Sequence, residues 1–232
     1  MRKYIFLLIS IAVISCSPVR KYKSLQQVLD WEKDIQKFEQ LDKSETYPED
    51  AVLFSGSSSI KFWSSIKKDM APYSIIQRGY GGARLSDFAI YAGRIFDPHQ
   101  CKAIVIFVAN DIIGYDDDKS PKEVLGLFRN VLHTIRKTHP NTPVFWISIT
   151  PTGSRWKVWP EIVKANDLIK EFCSQKKNTY FIPTDFAFLN EKGLPREELF
   201  NSDSLHLNQK GYAIWSEIIK KELNKVIGTP KI

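Results

Sequence analysis

The amino-acid pattern points to an α/β protein: one parallel sheet, largely buried, with helices on both of its faces. Three observations carry this. Five short apolar runs are spread along the chain, and segments of helical periodicity stand between them. The most apolar of the runs, Ala103 to Val108, shows no polar alternation, the mark of a strand covered on both sides. Strands that alternate with helices need crossover connections, and crossovers make neighbouring strands parallel.

The first residues read as an address. Arg2 and Lys3 precede the apolar run 4–14, and Ser15-Cys16-Ser17 comes next. A charged start, a short apolar stretch and a small residue before the break mark a secretory signal, and the run is shorter than the ~20 residues of a membrane span. Val13-Ile14-Ser15-Cys16 resembles a bacterial lipobox, in which the cysteine is diacylated and becomes the mature N-terminus. An ordinary signal peptide or an uncleaved anchor is the alternative. The expected organisation is a signal peptide over 1–15, lipidated Cys16 with a tether over 16–23, and one domain over 24–232. Acyl chains on Cys16 would hold the protein to a membrane of the bacterial cell envelope. Ser17 in place of Asp after the cysteine favours the outer membrane, if the host has one.

Leu25, Val28, Leu29, Trp31, Ile35 and Phe38 recur at near-helical spacing, which predicts an amphipathic helix to about Leu41, capping a site or packing behind the sheet. Ala51 to Phe54 is a compact strand that runs into Ser55-Gly56-Ser57-Ser58-Ser59, and Ile60 to Trp63 can open a helix. Tyr73 to Ile76 is the second strand. It ends at Gly79-Tyr80-Gly81-Gly82, and helical periodicity runs from Leu85 to Phe96. After the third strand, Ser120-Pro121-Lys122-Glu123 combines an N-cap serine, a proline at the first helical position and a glutamate three residues on. That helix should reach Thr138 and stop before Pro140. Pro143 to Ile149 is a fourth strand, Trp159 to Cys173 a helix, Tyr180 to Ile182 a fifth strand and Gln209 to Val226 the last helix. No repeat or low-complexity linker divides the chain.

Composition narrows the function classes. With 43% hydrophobic and 25% charged residues in 232, the chain is neither disordered nor collagenous nor a coiled coil. Three cysteines are too few for a disulfide-stapled scaffold, and Cys101 and Cys173 can either pair or stay free as small apolar groups. No CxxC or HExxH spacing occurs, so no metal site is expected. The net charge of +7 is scattered in pairs such as Lys67-Lys68 and Lys220-Lys221. No basic stripe interleaves with aromatics, so nucleic acid is not an expected partner.

In open parallel sheets, ligands bind beyond the carboxyl ends of the strands, at a switch point of strand order. The residues just past the strand ends in this chain form a chemically coherent set. Ser57, Ser58 and Ser59 offer a serine on a tight strand-to-helix turn, where helix N–H groups gather. The glycines 79, 81 and 82 let backbone N–H groups approach a ligand, and Asn110 is a neutral donor suited to a developing oxyanion. Asp203 stands three residues before His206, where a carboxylate can orient an imidazole to serve a serine nucleophile. Each feature alone is ordinary: a serine turn is a helix cap, glycine pairs are turns, and Asn-Asp after a strand is turn chemistry. Their joint appearance in this order is not.

Together the segments resemble the blocks of the SGNH (GDSL-like) hydrolase family of esterases and acylhydrolases. Phe54-Ser55-Gly56-Ser57-Ser58 is similar to its Phe-x-Gly-Asp-Ser block, Arg78-Gly79-Tyr80-Gly81-Gly82 to its oxyanion-glycine block, Val108-Ala109-Asn110-Asp111 to Gly-x-Asn-Asp, and Asp203…His206 to Asp-x-x-His. Ser57 departs from the usual Asp and Val108 from the usual Gly; neither removes a reacting group. The resemblance spans roughly Val52 to Trp215. It implies a flavodoxin-like three-layer α/β/α sandwich with a five-stranded parallel sheet, and a serine esterase without metal or cofactor. Ser58, Asp203 and His206 would be the triad, with Ser58, Gly82 and Asn110 forming the oxyanion hole. Trp63, Tyr80, Arg84, Arg155 and Trp156 are expected to rim the site. Aromatic and Arg groups on an envelope protein suit short acyl esters, acetyl especially, on carbohydrate. A lysophospholipase-like esterase and a catalytically weak glycan-binding protein are the rival readings, and oligomeric state is left open.

Overall fold

The computed structural model describes residues 19–230; the expected signal peptide and lipobox, with Cys16, lie outside the described residues. Five strands form one sheet: β1 (Val52–Gly56), β2 (Ile75–Gly79), β3 (Ala103–Phe107), β4 (Val144–Ile147) and β5 (Thr179–Ile182). All neighbours are parallel, in the order β2-β1-β3-β4-β5. This is the flavodoxin-like order, and its switch point falls between β1 and β3.

Among the described residues the helices are α1 (Gln26–Leu29), α2 (Glu32–Ser44), α3 (Ser58–Lys61), α4 (Ile66–Asp69), α5 (Leu85–Phe96), α6 (Pro121–Thr138), α7 (Trp159–Ser174) and α8 (Gln209–Ile227). α5, α6 and α7 pack side by side, while α8 packs with α4. Side-chain alternation along the strands supplies both layers. Phe107 points to Trp215 of α8, with ring centroids 4.7 Å apart. Trp146, level with Ile106 in the ladder, points the other way to Phe128 of α6, also at 4.7 Å. Every residue of β1, β3 and β4 is buried, which explains the unbroken apolar character of β3 and β4 and of β1 up to Ser55.

The expected capping box is present: Glu123 N–H donates to Ser120 Oγ, and Ser120 N–H to the Glu123 carboxylate. Differences from the sequence pattern arise where polar residues enter the ladder. β1 runs on through Ser55 and Gly56, and β2 begins at Ile75 and continues through Gln77 and Arg78. Those side chains are satisfied inside the protein. Ser55 Oγ donates to Arg78 O, and the buried Arg78 guanidinium pairs with Asp42 and Glu45. The expected single N-terminal helix is broken at Asp30-Trp31 into α1 and α2. Arg94 of α5 binds Glu32 and Glu39, so this segment packs on α5 and braces the back of the Tyr80–Gly82 loop through Trp31. Residues expected to be a loose tether include a 3-10 turn at Arg20–Tyr22, with Tyr22 buried.

Candidate active site

β1 comes so close to β3 at its end that a Cβ on Gly56 would lie 1.9 Å from Phe107 O, and Gly56 has φ +146°. Only glycine fits that crossing. Ser57 N–H then donates to Phe107 O (2.9 Å), and α3 opens at once with Ser58 in its first turn. Backbone N–H groups at such a start have no intrahelical acceptor and face outward. Of the three consecutive serines, Ser58 is the one whose Oγ reaches the His206 ring, 2.9 Å from Nε2.

His206 stands in the turn before α8. Asn208 caps that helix, its Oδ1 accepting from Lys210 and Gly211 N–H, while its Nδ2 donates to Glu198 and Phe200 carbonyls. Asp203 Oδ2 lies 2.6 Å from His206 Nδ1, and Oδ1 accepts the N–H groups of Leu205 (3.0 Å) and His206 (2.9 Å). Partial burial pushes the Asp203 carboxyl upward, but the His206 ring and the backbone N–H groups outweigh it and hold it below the ordinary range. An ionised carboxylate only accepts, so Nδ1 carries the proton and Nε2 is left to accept from Ser58.

On the other side of Ser58, Asn110 Nδ2 donates to Ala83 O (2.9 Å), and Arg155 forks between Asn110 Oδ1 (2.5 Å) and Ala109 O (2.7 Å). Asp111 is buried behind them. Its Oδ2 accepts Leu85 N–H at the start of α5, and burial raises its carboxyl to about 6 despite that bond. Gly82 has φ +72°, and a Cβ there would meet the Trp31 ring at 3.2 Å. The cavity beside Ser58 measures about 20 Å³ and is lined by Asn110, Thr150, Thr152, Arg155 and His206 among others. Gly82 adjoins Ala83, to which Asn110 is tied, but it does not line the cavity.

Several residues expected on the rim stand elsewhere. Trp63 is fully buried, stacked on Tyr212 at 5.1 Å, with its indole N–H on Asp69. Tyr80 is fully buried between Trp31 and Phe88, and its hydroxyl donates to Asp87. Both belong to the core because their loops turn inward, and each finds a polar partner for its one polar atom. Arg84 pairs with Asp117 and does not line the cavity. Trp156 is half-buried against Trp159, also outside the lining. Arg155 alone of the five lines it. Residues missed in the sequence are Thr150 and Thr152, which come after β4, and Phe62, one helical turn after Ser58. Phe62 is 52% exposed, and its ring stands edge-on to the His206 ring, with centroids 5.1 Å apart. The first two were within reach of the rule that sites form beyond strand ends. Among the described residues Cys101 and Cys173 are free, and burial pushes each thiol up to about 12, which leaves them unreactive.

Comparison with known proteins adds a family. Residues 55–214 match the model of the GDSL-like lipase/acylhydrolase family. The fold is similar to a Streptococcus pneumonia protein provisionally described as a platelet activating factor (TM-score 0.73, 21% identity, 85% of this chain and 97% of that one). It is similar to a GDSL-like lipase from Bacteroides thetaiotaomicron (0.67, 15%, 82% and 97%). It is also similar to a family 3 carbohydrate esterase from Talaromyces cellulolyticus (0.59, 17%, 77% and 98%). No curated protein matches the sequence.

Proposed function

Because the chain belongs to the GDSL-like lipase/acylhydrolase family and is therefore an esterase, we propose that it removes short acyl groups, acetyl above all, from carbohydrate esters. In this reading Ser58 is the nucleophile, His206 the base and Asp203 its orienting partner. The observation that carries it is the unbroken hydrogen-bonded line from Ser58 Oγ through the imidazole to Asp203.

Ser58 Oγ attacks the ester carbonyl as His206 Nε2 takes its proton, and Asp203 stabilises the imidazolium. The oxyanion is met by the Ser58 N–H and by Asn110 Nδ2, both of which face the cavity; losing one such donor typically costs about 3 kcal/mol. His206 passes the proton to the departing alcohol, and water repeats the sequence on the acyl-enzyme. The small acyl group is supported by the cavity of about 20 Å³, close to the room one water needs. The sugar is supported by the carbohydrate esterase among the structural neighbours and by Phe62, a flat apolar face beside His206.

The test is hydrolysis of p-nitrophenyl acetate, butyrate and octanoate by the protein from Ser17 onward and by its Ser58→Ala variant. Acetate turnover that disappears in the variant is expected. A preference for octanoate would move the substrate to acyl lipids, and no turnover above the variant's would sink the esterase mechanism in favour of glycan binding. The proposal extends to location, with Cys16 lipidated and the domain held at the cell envelope. Full-length protein should enter the detergent phase on Triton X-114 partitioning and Cys16→Ala should not; equal partitioning would refute the anchor.

A further inference from the structure

Asn110 is bound from both ends of its amide. Its Oδ1 accepts from Arg155, and one of its two Nδ2 protons goes to Ala83 O. Turning the amide over would set Nδ2 against the guanidinium and Oδ1 against the Ala83 carbonyl, donor on donor and acceptor on acceptor. The second Nδ2 proton is thereby left for whatever enters the cavity. Arg155 itself has no carboxylate within bonding reach among the described residues. Asp111 is engaged by Leu85 N–H and Asp118 by the N–H groups of Ile113 and Gly114, and both act on the guanidinium only through space. Burial lowers its pKa to about 10, so the group is still a cation at neutral pH. Its two bonds to Ala109 O and Asn110 Oδ1 aim an unneutralised charge along the Asn110 amide. A half-buried cation with no carboxylate bonded to it is unfavourable for folding alone, so its placement asks for another explanation.

We propose that Arg155 is the positioning residue of the oxyanion hole: its fork locks the Asn110 amide with Nδ2 toward the reacting carbonyl and polarises that donor as negative charge develops. The inference rests on the esterase reading and on Asn110 as an oxyanion donor. It differs from a role in holding substrate, which would act through KM. Lysine cannot replace the fork, since one ammonium lacks the planar pair of donors that spans Ala109 O and Asn110 Oδ1.

The experiment is a double-mutant cycle on p-nitrophenyl acetate with Asn110→Ala, Arg155→Met and the pair, with Arg155→Lys and thermal melts alongside. Arg155→Met and Asn110→Ala should each lower kcat by about 10²-fold, with KM within about twofold. The pair should be no more than about threefold worse than either alone, because the lock has no value without the amide. Arg155→Lys should keep the charge, melt near the wild type and still lose about tenfold or more in kcat. It serves as the cycle's arm if the methionine variant does not fold. Losses that multiply in the pair, a change confined to KM, or a lysine variant with full kcat would overturn the inference while leaving a Ser58-dependent esterase standing. A wild type without ester turnover would overturn both.

Discussion

Ser58 Oγ and His206 Nε2 meet at 2.9 Å although 148 positions separate them in the chain. The contact is made by two turns, each anchored at the carboxyl edge of the sheet: the glycine crossing at the end of β1 and the capped turn before α8. Ser58→Ala and His206→Ala should each lower kcat on p-nitrophenyl acetate by about 10³-fold or more. Ser59→Ala should stay within about tenfold of wild type, since Ser59 has no bond to the imidazole. Melting curves of all three should overlay the wild type. A Ser59 variant as poor as the Ser58 variant would show that the wrong serine has been assigned.

Asp203 offers a sharper test because its two oxygens have different work. Oδ1 holds the backbone N–H groups of Leu205 and His206, so in Asp203→Asn the amide oxygen must stay there. The new NH2 then faces Nδ1, which has to accept, and the ring proton moves to Nε2, facing Ser58. That tautomer cannot take the serine proton. The expected loss in kcat is about 10³- to 10⁴-fold, with no change in fold by circular dichroism. An Asp203→Asn enzyme with a tenth of wild-type turnover would mean the carboxylate is structural.

Much of this site was legible because Ser58 and Asn110 sit just past strand ends and the Asp203-His206 pair stands just before the last helix, where position follows from local pattern. The choice of Ser58 over Ser57 and Ser59 needed the family resemblance as well. Trp63 and Tyr80 were misread for the complementary reason: both lie in loops by local pattern, and nothing local shows that a loop turns its aromatic inward. Trp63 fills the space between Phe54, Tyr212 and Trp215. Arg155 is an intermediate case, since its loop placed it near the site but its bond to Asn110 belongs to tertiary structure. Trp63→Ala should therefore lower stability by about 3–5 kcal/mol, read as a lower urea midpoint. The ratio of acetate to octanoate turnover should not move. A changed ratio at unchanged stability would put Trp63 back on the rim.

The buried carboxylates of Asp87 and Asp111 give the protein an unusual pH response. Burial raises Asp87 to about 7, against the opposing bonds from Tyr80 hydroxyl and Arg84 N–H, and raises Asp111 to about 6. The Asp111 charge adds to the rise at Asp87. Both folded values lie above the ordinary 3.8 of an unfolded aspartate. Between that value and the folded one, the native state holds more protons than the unfolded chain, so stability falls as pH rises from about 4 to about 7. Surface carboxylates such as Glu32 and Asp117 are held low by arginines and act in the opposite sense, mostly below about pH 5, which masks the lower end of the effect in the wild type alone. The difference from a neutral variant isolates it. In Asp111→Asn the amide oxygen can keep Leu85 N–H and nothing ionises. Its melting temperature relative to wild type should therefore rise between pH 4 and pH 7.5, by roughly 5–10 °C for an effect of about 3 kcal/mol. A gap that stays constant across that window would mean Asp111 ionises without penalty and that its environment is wetter than its burial implies.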